Sequence, residues 1–370
     1  MKKVIPFRSV VIFGGAGFVG SNWAHRLLQT TDARVQVFDN LSRGGVRQNV
    51  KWLQKSTPDP QRLKITIGDV REAARVEKAV QSATEIYHFA AQVAVTTSVQ
   101  DPRLDFDVNV AGTFNVLEAA RKSGLKPFLL FTSTNKVYGH MASEALVPGL
   151  RRYICEPHNK VAESQPLDFY SPYGCSKGAA DQYVHDYARI FGLPTVVLRM
   201  SCIAGPHQLG NEDQGWMAHF LYSALQNKPI SIYGDGRQVR DVLSIEDLMN
   251  AFEGVRANAD RTAGEVYNVG GGLGNSISLL ELIDEIEKLT GKRLVYELRP
   301  LRPGDQPVYI TDYSKLDKAI TWRPTINVQQ TLRSIYEWWM SNRKLVRPAT
   351  PDMPFSPRVV QQVPEVEAAS

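Results

Sequence analysis

Cysteine is scarce, with Cys155, Cys175 and Cys202 the only three in 370 residues. Their separations match no metal-ligand spacing, which argues against a disulfide framework or a zinc site and fits a reducing compartment. Long apolar runs are also missing. No stretch approaches the ~20 residues that a membrane helix needs. The opening MKKVIPFRSVVIFGG resembles a signal peptide, but Pro6 and Arg8 interrupt it and no small-residue cleavage site follows. These absences predict a cytoplasmic protein without a membrane partner. Charge of one sign is not concentrated either: 43 Lys and Arg against 38 Asp and Glu leave a net +5. Nucleic acid is therefore not implied, while an anionic small molecule suits the balance.

What is present is a rhythm. Short β-branched runs (SVVIFGG, RVQVFDN, KITIGDV, EIYHFAA, FLLFTST, PTVVLRM) alternate with helical patterns over 18–30, 71–81, 106–122 and 172–191. This alternation predicts an α/β fold with a doubly wound parallel sheet. Beyond about residue 200 the pattern loosens and reads as loops and helices, as for a smaller substrate-binding domain. The expected organisation is a Rossmann domain over 1–200, with 241–270 returning to it. A mainly substrate-binding region follows over 201–345, and then a disordered, proline-rich tail over 346–370.

VVIFGGAGFVGSNWAHRLL places Gly14, Gly17 and Gly20 after the first strand and at the opening of a helix. Glycines there allow a tight turn and close approach of backbone to a pyrophosphate, and the helix N-terminus then stabilises the phosphate charge. Asp39 ends the next strand, 19 residues beyond Gly20. A carboxylate at that place accepts hydrogen bonds from a ribose diol and repels a 2′-phosphate, so NAD is favoured over NADP. Arg43 is the one dissenting feature, since a guanidinium serves a phosphate. Asp69 and Val70, and the small residues of HFAAQ (88–92), stand at further strand ends. Each of these is by itself as readily structural.

SPYGCSK supplies Tyr173 and Lys177 one helical turn apart, with Pro172 suited to a first turn. Such a pair arises readily by chance, so its place after the strand that carries Thr134 is what gives it weight. Gly14-x-x-Gly17-x-x-Gly20, Thr134 and Tyr173-x-x-x-Lys177 together resemble the extended short-chain dehydrogenase/reductase family, the NAD-dependent nucleotide-sugar epimerases and dehydratases. The resemblance runs to about residue 340. It implies that Tyr173 is the base, that Lys177 lowers its pKa and holds the nicotinamide ribose, and that Thr134 positions a sugar hydroxyl. The implied cofactor contacts are Gly14, Ala16, Gly17, Phe18, Val19 and Gly20 in the turn, then Asp39, Asn40, Ser42, Asp69, Val70, Ala90, Gln92 and Asn109, besides Tyr173 and Lys177. The implied contacts to a nucleotide-diphosphate sugar are Thr134, Asn135, Tyr173, Ser201, His219, Arg240 and Arg302. Trp216 is a further possible wall of the base pocket, and the implied assembly is a homodimer or homotetramer.

Within the family, 4,6-dehydratases carry an Asp-Glu pair after the threonine, whereas Asn135 and Lys136 stand here. Neither suits the acid–base work of dehydration. Strings such as DNLSRGG, STNKVYG, LDFYSPYGCSKGAADQY and QVRDVL instead resemble the branch of the family that inverts C2 of a CDP-hexose through a 2-keto sugar. Two alternatives stay open: 4-epimerisation by the same machinery, and a non-enzymatic NAD-binding regulator. Many relatives place asparagine where Cys202 stands, which leaves the diphosphate to other groups here.

Overall fold

The computed structural model describes residues 8–141, 146–154, 160–302 and 304–343. The tail over 346–370 lies outside the described residues. Seven strands form one parallel sheet. From edge to edge these are Val266–Val269, Thr195–Met200, Phe128–Thr134, Glu85–His88, Ser9–Phe13, Arg34–Asp39 and Leu63–Ile67. The chain runs outward from Ser9–Phe13 to one edge, then crosses over and builds the other half. The C-terminal ends of Ser9–Phe13 and Glu85–His88 therefore flank the switch point, where ligands seat in such sheets.

The strands read as apolar runs because both of their faces are covered. Val10, Ile12, Val35, Val37 and Leu130 pack into one cluster with Trp23, Leu27, Leu28, Met249 and Phe252. Val11, Phe13, Ile86, Leu129 and Phe131 face the other way, into a cluster with Val116, Leu117, Val184 and Tyr187. Each large side chain so buried contributes ~1.5–3 kcal/mol. Between these layers Arg199 makes a buried bidentate pair with Asp181, at 2.9 Å on both nitrogens, tying the sheet to the helix Ser171–Phe191.

The second half departs from the sequence reading. Instead of loops and helices alone it contains a further five-stranded arrangement of Cys202–Ala204, Val239–Ser244, Ser276–Ser278, Val308–Thr311 and Lys160–Val161. A two-stranded pair, Ile230–Tyr233 with Tyr296–Arg299, stands beside it. Most of these strands have only two to four residues, too few for an alternation to show in the sequence. The helix Ile245–Ala257 packs its Leu248, Met249 and Phe252 into the first cluster, and Val266–Val269 completes the large sheet.

The helix expected over 106–122 is three pieces: Pro102–Phe106, a π-helical turn Asp107–Ala111, and Gly112–Lys122. The extra residue in the π turn carries Asn109, and such turns gather at functional sites.

Candidate active site

The glycine turn is built to take a pyrophosphate. Gly14 has φ +73°, and a Cβ there would stand 2.6 Å from the Ala90 backbone nitrogen. A Cβ on Gly20 would meet the Gly14 carbonyl oxygen at 2.3 Å. The helix Phe18–Thr30 begins at Gly17 with no side-chain cap and no acid in its first turn, so its positive end faces the turn unneutralised. These features fit a dinucleotide.

Asp39 orders the neighbouring wall. One carboxylate oxygen accepts from the Ala16 N–H at 3.0 Å and the other from the Leu41 N–H at 2.8 Å. Burial raises its pKa, against those two hydrogen bonds and the charge of Arg43. Asn40 donates to Asp69 at 2.9 Å and accepts from the Ser42 N–H at 3.0 Å. Asp69 is itself held by Arg71, whose hydrogen bonds bring it down to about 2. Val70 is buried, and its carbonyl accepts from Asn115 at 2.9 Å.

Asn109, grouped above with the cofactor contacts, is engaged by the protein. Its Oδ1 accepts from the Gln92 N–H at 2.9 Å. Its Nδ2 lies 3.0 Å from Gln92 O, 3.1 Å from Asp105 Oδ1 and 3.0 Å from Ser176 Oγ. It therefore braces the strand-end loop against the Tyr173 helix. Replacing Asp39 with alanine is expected to weaken NAD about tenfold, the scale of one charge-assisted hydrogen bond, and to narrow the gap to NADP. Dissociation constants for both cofactors check this, and an unchanged NAD value would move the ribose contact elsewhere.

On the facing side, Phe128–Thr134 is buried throughout and delivers Thr134 to the sheet's C-terminal edge. The Thr134 hydroxyl accepts from the Lys136 N–H at 3.3 Å, capping a short 3-10 helix Asn135–Tyr138. The helix Ser171–Phe191 opens on Ser171, a non-glycine residue at φ +75°, whose hydroxyl accepts from the Gly174 N–H at 3.2 Å. Backbone held this way clusters at working sites. The Tyr173 N–H donates to Ser98 Oγ at 3.1 Å, and its phenol faces the Thr134 hydroxyl. Lys177 donates to Thr132 O at 2.7 Å and lies 4.0 Å from the Phe131 ring centre. Tyr173, Thr134 and Lys177 are all buried.

Burial pushes the Tyr173 phenol up to about 12; the neighbouring Thr134 hydroxyl and the charge of Arg43 oppose the rise, while Asp105 adds to it. Burial also draws Lys177 down to about 7, against the pull of Asp181 and Asp105. Arg43 is a cation that acts on the phenol from across the cleft. Arg43 also faces Asp39 and hydrogen-bonds Gln214, so it spans the cleft. Sequence reasoning treated it only as a hint of NADP. Asp105 was not singled out at all, although it stands four residues before Asn109, one helical turn away.

The residues expected to meet the substrate fall into two groups. Asn135 is buried beside Thr134, with 3.3 Å between Oδ1 and the threonine hydroxyl. Ser201 is turned to Asp241, donating to its carbonyl at 2.9 Å and to its carboxylate. Arg240 is buried and donates to Asp305 at 2.7 Å. Further out, Arg302 stacks 3.6 Å from the Tyr233 ring centre and pairs with Glu212 and Asp213. His219 is half-buried near that group, and burial lowers its pKa. Trp216 donates to Cys202 Sγ at 3.5 Å. The two residues directly after Thr134, Asn135 and Lys136, are not carboxylic acids.

With this geometry in place, the likeness to known proteins is informative. A family model described as GDP-mannose 4,6 dehydratase matches residues 11–335. CDP-paratose 2-epimerase from Salmonella typhi is 41% identical over 341 residues, covering 90% of this chain and 99% of its own. The chain belongs to the extended short-chain dehydrogenase/reductase family of NAD-dependent nucleotide-sugar epimerases and dehydratases. Solved members of this family share the fold. UDP-glucuronic acid 4-epimerase from Bacillus cereus, in complex with UDP-glucuronic acid and NAD, superposes with a TM-score of 0.77 at 26% identity, covering 90% of this chain and 99% of its own. A dTDP-glucose 4,6-dehydratase from Streptomyces venezuelae with NAD bound gives 0.78 at 28% identity, covering 91% and 98%. The cofactor is NAD, and the substrate class is a nucleotide sugar. Among the described residues there is no helix long and apolar enough to cross a membrane, and no group of three or more potential metal ligands.

Proposed function

We propose that the protein inverts C2 of a CDP-linked hexose, of the kind converted by the CDP-paratose 2-epimerase to which it is similar. The observation that carries the chemistry is the buried Tyr173 phenol facing Thr134 at the strand end, with Asn135 and Lys136 after the threonine instead of acids. The choice of carbon and base is supported by the 41% identity over nearly all of both chains.

Thr134 holds the C2 hydroxyl and Tyr173 accepts its proton. Lys177, anchored on Thr132 O, keeps a positive charge beneath the phenol and holds the nicotinamide ribose. When bound, NAD would supply the hydride acceptor and donor for C2, and its oxidised ring would add the positive charge that a phenol raised to about 12 needs in order to act near neutrality. Between the two transfers the 2-keto sugar turns over, with Asn135 as a neutral hydrogen-bonding group at its side. Proton return from Tyr173 completes the cycle. The cofactor ends as it began, so it stays with the enzyme.

The region 201–345 is read as the nucleotide-sugar half and 1–200, with 241–270, as the NAD half. Arg240 and Arg302 are assigned to the diphosphate, where a guanidinium fork fits. The likeness to a UDP-glucuronic acid 4-epimerase favours, as the second reading, 4-epimerisation with the sugar turned differently. Incubation with CDP-, UDP- and GDP-hexoses, with products read by NMR, tests the choice. C2 inversion of a CDP-hexose is the expected result, and inversion at C4 alone overturns it.

The enzyme is read as a cytoplasmic homo-oligomer. Phe114 and Tyr183, on adjacent helices, are 43% and 47% exposed, and their rings meet edge to face at 6.0 Å. Ile190 and Phe191 extend the same helix's exposed apolar surface at 66% and 43%. Apolar surface grouped in this way marks an interface. Phe114→Arg is expected to halve the mass seen by light scattering while leaving the circular dichroism spectrum intact. An unchanged mass would place the interface elsewhere or show a monomer.

A further inference from the structure

Lys136 has no place in the acid–base chemistry, yet it is not a surface lysine. Its ammonium donates to Gly304 O at 3.1 Å and lies 3.4 Å from Asp305 Oδ1. The same carboxylate oxygen accepts from Arg240 Nη2 at 2.7 Å. One acid thus bridges two cations drawn from different parts of the chain: Lys136 from the short helix that follows Phe128–Thr134, and Arg240 from the second sheet.

The group is unbalanced. Two positive charges share a single negative one, in a place where the Arg240 side chain is only 10% and that of Lys136 only 18% exposed. Cys202 nearby adds no charge, because burial raises its thiol pKa. Nor does Asp241 complete the count, since its carboxylate is turned to Ser201 and the Gly272 N–H. Asp305 is the most exposed of the three, its side chain at 32%, so its carboxylate can rotate into water. The next residue stays fixed: Gln306 is buried and donates to Gly139 O at 2.8 Å. A bridging diphosphate carries two negative charges at neutral pH, which matches the two cations with Asp305 removed.

Resting on the nucleotide-sugar reading, we propose that Lys136 and Arg240 form a two-cation seat for the substrate diphosphate, and that the Asp305 carboxylate occupies this seat until the nucleotide displaces it. Asp305 is then a competitor for the ligand's place, not a support for it.

The sign of one effect separates these roles. CDP, UDP and GDP are titrated calorimetrically into the NAD-loaded enzyme and its variants. Asp305→Asn is expected to tighten the preferred nucleotide about tenfold, and Lys136→Met to weaken it by at least about tenfold, as for truncation of one partner in a close charge pair. Asp305→Glu, which keeps a competing acid, is expected to show no tightening. It also serves as the folded control if the amide variant is unstable. Binding to wild type with equal or weaker binding to Asp305→Asn overturns the seat but leaves the nucleotide-sugar reading intact. If none of the three nucleotides saturates the wild type, both fall.

Discussion

Tyr173→Phe is expected to lower kcat by about 10³-fold, the middle of the range for losing a positioned acid–base group. Fold and bound NAD should be unaffected. The argument is local. The phenol is buried and faces Thr134, so removing its oxygen leaves the C2 hydroxyl proton without an acceptor. The ring, which fills the volume, stays. Single-turnover kinetics with the NAD absorbance band followed in parallel check this. A variant within threefold of wild type would remove Tyr173 from the role of base.

The second large effect concerns the cofactor. Gly14→Val is expected to reduce NAD affinity by roughly 100-fold, equivalent to ~2.7 kcal/mol, and to lower the melting temperature as well. A β-branched residue at φ +73° is strained by ~1–3 kcal/mol before any contact is counted. The contact it then makes is with backbone, the Ala90 nitrogen at 2.6 Å, which cannot swing aside. Gly44→Val is the matched control, since a Cβ there meets nothing within 4 Å. Equal NAD affinity in both variants would mean that the glycine turn is not the pyrophosphate cradle.

These two predictions also show what could be read from the sequence alone. The large sheet was legible because a strand covered on both faces must be an apolar run, and the glycine turn because few other sequences allow backbone so close to backbone. Tyr173 and Lys177 were legible through their place after the strand that carries Thr134, since helical spacing alone arises by chance. The second sheet was not, because strands such as Lys160–Val161 and Ser276–Ser278 are set by pairing partners distant in the chain and not by their own pattern. The same limit hid Arg43, whose reach to Gln214 and toward Tyr173 is purely tertiary, and the Lys136–Asp305–Arg240 bridge, whose members lie 65 or more positions apart. For Asn109 the sequence offered a position only, and the bracing of Gln92 and Ser176 by its amide is again tertiary.

The central claim is that hydrogen leaves C2 as hydride and returns to the same carbon, with no proton moved on carbon. Turnover of a CDP-hexose deuterated at C2, followed by mass spectrometry and NMR, tests it most directly. The account predicts inverted product that keeps its deuterium at C2, and no uptake of deuterium from heavy water by unlabelled substrate. Loss of the C2 label to solvent would contradict it, since that requires carbon deprotonation, and a product lighter by one water would restore dehydration despite Asn135 and Lys136.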